Sequence, residues 1–177
     1  RSGVERECVR RLEGLFADHA QAVRAYALRR VDPSTADDIV SEVFVVAFRR
    51  LDEVPDEPLP WLLATARRVL ANHRRAAGRR EVLTARLTAL HASVWRDEIP
   101  GEPELLGALA RLSERDREVL LLVAWEDLDP ASAATALGCS RATFAVRLHR
   151  ARRRLAATMA QTKREGDITL RPTEATK

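Results

Sequence analysis

The sequence predicts an all-α fold: two small helical domains joined by a linker, the C-terminal one a helix-turn-helix. Three observations predict it. Alanine, leucine and arginine are abundant while aromatics make up only 5% of the chain, a composition that favours helices. Apolar residues recur at three- and four-residue intervals through three stretches before Gly78, the helical period. Pro100-Gly101-Glu102-Pro103 then breaks the chain before helix signals resume. At 177 residues, with 46% hydrophobic and 32% charged residues, the chain can hold one ordinary domain or two small ones.

The elements follow in order. Val9, Leu12, Leu15, Phe16, Val23, Tyr26 and Ala27 trace a first helix over about residues 5–30. Asp32-Pro33 ends it, and Asp32 or Ser34 can cap the next. Ala36, Ile39, Val40, Val43, Phe44, Ala47, Phe48 and Leu51 give the second helix a broad apolar face, with Asp37, Asp38, Ser41 and Glu42 on an acidic edge. Pro55, Pro58 and Pro60 force a loop, and a third helix over about residues 61–75 turns Leu62, Ala66, Val69 and Leu70 inward. Residues 1–80 form the first domain and 81–104 the linker, where Val82, Leu83, Leu87, Leu90 and Trp95 allow some helix. The second domain covers 105–160 and a polar tail without regular structure 161–177. Ser113-Glu114-Arg115-Asp116 resembles a capping box with Asp in place of Glu, leading into the apolar run from Val119 to Ala124.

Residues 129–155 carry the most information. Asp129-Pro130 starts a short helix, Gly138 can stop it in the left-handed conformation, and Ser140 can cap a second helix. Val146, Leu148, Ala151 and Leu155 give that helix an apolar side, with Phe144 expected in the core. Arg141, Arg147, Arg150, Arg152, Arg153 and Arg154 give it six cations and no acid. Two short helices about a Gly-containing turn, the second basic, is the arrangement that lays a helix in the DNA major groove. The plainer reading is an amphipathic hairpin with a solvated basic face.

Charge along the chain weighs against it. The net charge of +4 is modest, but residues 61–80 hold six arginines and no acid, while residues 32–57 hold eight acids against Arg49 and Arg50. Like charges at i,i+4 repel, and a polyanion removes the conflict. Two basic stripes imply two phosphate-binding faces; an acidic strip beside them repels DNA and implies a protein partner. Cys8 and Cys139 form no CxxC pair, and the four histidines fall into no metal-ligand spacing. Neither a membrane span, a Gly-rich phosphate loop nor a nucleophile–base pair is legible. The chain is therefore expected to be cytoplasmic and non-enzymatic, with no cofactor, metal, catalytic residue, small-molecule substrate or membrane insertion.

Read together, the two halves resemble a bacterial extracytoplasmic-function sigma factor over roughly residues 12–155. Four motifs carry the resemblance in the family's order. They are Ala36-Asp37-Asp38-Ile39-Val40-Ser41-Glu42-Val43-Phe44; Pro60-Trp61-Leu62 leading to residues 66–75; residues 109–120; and Leu137-Gly138-Cys139-Ser140 followed by Thr143 and residues 147–152. The resemblance implies that Asp37, Asp38, Ser41, Glu42 and Phe44 dock on the clamp helices of core RNA polymerase. It implies that Arg67, Arg68, Asn72, Arg74, Arg75 and Arg79 face the promoter −10 element, with a base flipped near the proline-rich loop at residues 52–60. Ser140, Arg141, Ala142, Thr143, Ala145, Arg147, Arg150 and Arg154 face the −35 element. The chain departs from the family's common pattern at Ser41, Arg68, Asn72 and Ala145, where Gln, Asn, Asp and Lys are usual. Promoter DNA and core polymerase are the implied partners, and an anti-sigma protein is a third that the family admits. The function implied is promoter-specific transcription initiation. A free-standing helix-turn-helix regulator with a sensing or dimerising N-terminal bundle, and a helical adaptor that binds no specific DNA, are the alternatives.

Overall fold

Asp32 decides where the second helix begins. Its carboxylate accepts the Thr35 backbone N–H at 3.0 Å and the Thr35 hydroxyl at 2.7 Å, and Pro33 occupies the first helical position, where a missing N–H costs nothing. The same bonds hold the Asp32 carboxyl below its usual pKa. The computed structural model describes residues 2–81 and 103–169. Asp32 lies between α1 (Ser2–Leu28) and α2 (Pro33–Arg49); a 3₁₀ turn at Leu51–Glu53 leads towards α3 (Leu59–Glu81). Val23, Tyr26 and Ala27 of α1, Ile39, Val43 and Ala47 of α2, and Leu62, Leu63, Ala66 and Leu70 of α3 are all buried, closing a three-helix core.

The C-terminal half has α4 (Pro103–Arg111), α5 (Glu114–Ala124), α6 (Pro130–Leu137) and α7 (Arg141–Thr169). Each turn has its chemistry. Arg117 reaches back from α5 to the Leu109, Ala110 and Leu112 carbonyls at 2.9–3.1 Å, satisfying acceptors that the end of α4 leaves open. Ser113 accepts the Asp116 N–H and donates its hydroxyl to the Asp116 carboxylate, a reciprocal cap. Asp129 accepts the Ala131 and Ser132 N–H groups at the start of α6. Gly138 stands at φ 64°, and the Cys139 and Gly138 N–H groups bond back to the Ala134 and Thr135 carbonyls at 3.0 Å. These are the two bonds of a Schellman stop, and the left-handed φ makes glycine the residue for it. All elements among the described residues are helical.

Several details differ from the sequence reading. α3 continues to Glu81, past residue 75, because no proline or acid–base conflict stops it until the described residues end. α7 runs to Thr169 where an irregular tail was expected from 161: Lys163, Arg164 and Glu165 are helix formers, and the first proline comes only at Pro172. Phe16 and Phe48 are about half exposed, so the apolar faces of α1 and α2 are wider than the core that covers them. Residues 82–102, most of the expected linker, and the tail from 170 lie outside the described residues.

The two halves touch. α3 packs on α6, α6 on α7, and one apolar cluster runs from Val23 in α1 to Ala151 in α7.

Candidate nucleic-acid interface

The second helix of the hairpin is built to show one face. Ser140 caps it, accepting the Thr143 N–H at 3.1 Å, and the two hydroxyls share a hydrogen bond at 2.9 Å. Phe144, Leu148 and Ala151 are buried, Phe144 completely, so the face centred opposite them looks outward. That face holds Ala142, Val146, His149, Arg150 and Arg153, all exposed. Val146, 50% exposed, is not on the apolar side where the sequence reading put it. It stands two positions from Phe144 and two from Leu148, about 200° around a helix, which sends it to the far side. Its neighbours Ser140, Arg141, Thr143, Ala145 and Arg147 are also exposed. The helix periodicity anchored on Phe144 is the signal that would have identified Val146, His149 and Arg153 as outward-facing.

The cations of α7 are not all alike. Arg147, Arg150, Arg152 and Arg153 make no hydrogen bond or ion pair with any described residue. Arg141 lies close enough to Asp129 to help lower that carboxyl's pKa, after the Ser132 and Ala131 hydrogen bonds. Arg154 is committed: its Nη1 donates to Asp116 Oδ2 at 2.6 Å. Burial would raise the Asp116 pKa, but the Ser113 and Arg154 bonds outweigh it and the carboxyl titrates low.

The arginines of α3 divide between two faces. Arg67 and Arg74, two helical turns apart, share one; Arg68, Asn72 and Arg75 share another about 100° away. On the first, Arg67 Nη1 donates to the Leu137 carbonyl at 3.4 Å and Arg74 pairs with Glu114. Burial, then the nearby Arg30 charge, lower the Arg74 pKa. On the second face all three side chains are exposed, and Arg75 donates to the Asn72 side-chain carbonyl. The Arg79 side chain lies outside the described residues.

On α2, Asp37, Asp38, Ser41 and Glu42 are exposed as expected. Asp37 accepts Arg24 Nε at 2.7 Å, and Glu42 meets His73 Nε2 at 2.7 Å. Phe44, expected both on the apolar face of α2 and in the docking set, lies on the apolar face. It is buried, its ring edge-on to Phe16 with centroids 4.8 Å apart, because helix spacing places it beside Val40 and Val43 on the core side. What it offers is the floor of a shallow apolar groove of about 290 Å³, lined also by Leu12, Ser41, Val45 and Phe48.

Sequence reasoning missed an ion cluster between the halves. The Arg30 guanidinium lies 3.5 Å over the Tyr26 ring. Its Nε donates to Glu118 Oε2 at 2.9 Å, while Nη2 is 2.9 Å from the same oxygen but outside hydrogen-bond geometry. Tyr26 donates its hydroxyl to the other Glu118 oxygen at 2.6 Å. Arg29 grips Glu126 with two bonds, at 3.2 and 2.5 Å. Burial raises the Tyr26 pKa, with Arg30 opposing. Burial would lower that of Arg30, but Tyr26, Glu118 and Glu126 together raise it. Both residues therefore keep their protons. The partners lie 88–97 residues apart in sequence, so no local pattern announces them.

Among the described residues no group of His, Cys, Asp and Glu could hold a metal, and no helix is long and apolar enough to cross a membrane. Family models for sigma-70 region 2 and sigma-70 region 4 match residues 15–80 and 103–155. The ECF RNA polymerase sigma factor SigL of Mycobacterium tuberculosis is 30% identical over 156 residues, spanning 84% of this chain and 88% of that protein. SigC of the same species is 32% identical over 157 residues, with 84% and 83% covered. Among solved structures, the sigma factor RpoE of Bartonella quintana, in complex with the anti-sigma factor NepR, aligns with a TM-score of 0.64 at 22% identity, covering 84% of this chain and 96% of that one. CnrH, in complex with the cytosolic domain of CnrY, aligns at 0.58 and 26%, covering 85% and 88%. A relationship that runs through both halves and both arginine helices settles the family: the chain belongs to the extracytoplasmic-function sigma factors of RNA polymerase.

Proposed function

We propose that this sigma factor divides its work among three helices. Asp37, Asp38, Ser41 and Glu42 of α2 dock on basic residues of the core polymerase clamp helices, and the groove over Phe44 accepts an apolar side chain there. Arg68, Asn72 and Arg75 of α3, joined by Arg67, Arg74 and Arg79, hold the −10 element; an amide can read a base edge while arginines hold phosphates. The first two turns of α7 read the −35 duplex, with Arg141 and Arg147 flanking Ala142 and Val146, and Arg150 and Arg153 on phosphate. Residues 1–80 act as the polymerase and −10 domain, 105–160 as the −35 domain, and 81–104 as the connector.

The observation that carries this reading is α7: a capped helix whose outward face bears cations without a single acid from Arg141 to Arg154. The protein acts in the cytoplasm as an initiation factor and performs no chemistry of its own. RpoE, a structural relative, was solved with the anti-sigma factor NepR, and a partner of that class belongs to the proposal. Run-off transcription with core polymerase tests it. A promoter-dependent product that needs this chain supports the reading, and its absence from folded protein overturns it.

A further inference from the structure

Val146 is a valine where the fold gains little from one. It stands on α7 about 200° from Phe144 and is 50% exposed. It therefore packs against little, and its β-branch makes it a poorer helix former than alanine. Ala142, one turn earlier, and Ala145 beside it are exposed as well. The hydroxyls of the first turn are turned on each other. Ser140 Oγ accepts the Thr143 N–H at 3.1 Å and shares a hydrogen bond with Thr143 Oγ1 at 2.9 Å. Ala142, Ala145 and Val146 leave the outward centre of the first two turns with methyl groups and no hydrogen-bonding side chain.

We propose that Val146 reads the 5-methyl group of a thymine in the −35 duplex. The inference rests on α7 being the −35 reader and names what that reader prefers. In the major groove guanine shows two acceptors, cytosine a donor, adenine an acceptor and a donor, and thymine an acceptor beside its methyl group. A valine pressed on a donor or an acceptor strips it of water and returns no hydrogen bond. Against the thymine methyl it covers apolar surface on both partners. In a helix valine strongly prefers one χ1 rotamer, so its methyl groups are in place before DNA arrives. Arg147, the next residue, and Arg150, one turn on, engage no described residue and hold phosphates beside the contact.

One methyl group sets the size of the effect. Taking it out of water changes affinity about fourfold, less than a bidentate arginine–guanine contact provides. The same chemistry extends to a modified base. 5-Methylcytosine carries its methyl group where thymine does, so a methylated cytosine at that position meets Val146 as thymine would, whereas unmodified cytosine does not.

The test removes the methyl group and nothing else. Holoenzyme reconstituted with the full chain selects its upstream block from a randomised duplex. Each thymine of that block, on both strands, is then replaced singly by deoxyuridine, which keeps the Watson–Crick pair, and binding is measured by competition. The wild type should lose about fourfold at one thymine. Val146→Ala should bind the thymine and uracil duplexes equally at that position. Alanine is the better helix former at this exposed site, so the variant keeps α7, as circular dichroism checks. At the same position a 5-methylcytosine–guanine pair should bind the wild type about fourfold tighter than cytosine–guanine, and Val146→Ala should not tell them apart. Uracil accepted at every thymine, a block without thymine, or a loss that Val146→Ala leaves unchanged overturns the inference while α7 remains the −35 reader. Holoenzyme that selects no upstream block overturns the −35 reading and the inference with it.

Discussion

α3 and α7 are both arginine helices, yet one face of α3 is engaged by the C-terminal half while the outward face of α7 meets no described residue. Arg67 and Arg74 of α3 face oxygens supplied by the C-terminal half, whereas Arg147, Arg150, Arg152 and Arg153 of α7 face no described partner. The difference lies in what surrounds them, since both stretches lack acids in sequence. α3 meets the acidic start of α5 and the end of α6. The outward face of α7 meets no described residue, because Phe144, Leu148 and Ala151 anchor its other side. A run of like charge thus marks a nucleic-acid face only after the fold has shown which acids reach it.

The comparison can be broken first at the anchor. Phe144→Ala removes a fully buried ring and should cost about 3–5 kcal/mol. Thermal melting should show the loss, and −35-dependent transcription should collapse while α3 keeps its helix. The open face is sharpened by Arg141→Ala, which should relax preference at one −35 base pair by about 1–3 kcal/mol in competition binding with holoenzyme. Arg150→Ala with Arg153→Ala should instead weaken all sequences alike. The slope of log affinity against log salt should fall in magnitude by about 1.8, from about 0.9 per phosphate contact. The smallest effect concerns the N-terminal half. The Asp32 pKa is lowered in the fold, so its contribution is complete above the ordinary carboxylate value of about 4 and is lost as pH falls through the lower folded value. Asp32→Asn keeps the cap and should flatten the acid limb of stability against pH, measured by denaturant melts between neutral and acid pH.

Much of the fold was legible because its punctuation is local. Asp32, Ser113, Asp129, Gly138 and Ser140 each announce a cap or stop within four residues of the groups they bond, and all five hold those posts. The burial of Phe144 followed from helix period alone, and the exposure of Asp37, Asp38 and Glu42 from the face opposite Ile39 and Val43. Val146 was misplaced because valine is apolar, although its angular position contradicts a core role. Phe44 was offered as a docking residue by likeness to the family, while its own spacing beside Val40 and Val43 favours the core it occupies. The Arg29–Glu126 and Arg30–Glu118 pairs were illegible in principle. Charges on separate halves find each other only through tertiary packing, and an arginine pair at a helix end looks the same whether solvated or buried.

As a sigma factor, the chain should read two promoter elements with two helices, and one selection tests this directly. Active promoters are selected from a randomised template by holoenzyme reconstituted with this chain, then reselected with Arg141→Ala and with Asn72→Ala. The account predicts two sequence blocks about one and a half turns apart, the upstream block altered only by Arg141→Ala and the downstream block only by Asn72→Ala. A single block, or both blocks shifting with either substitution, would contradict it.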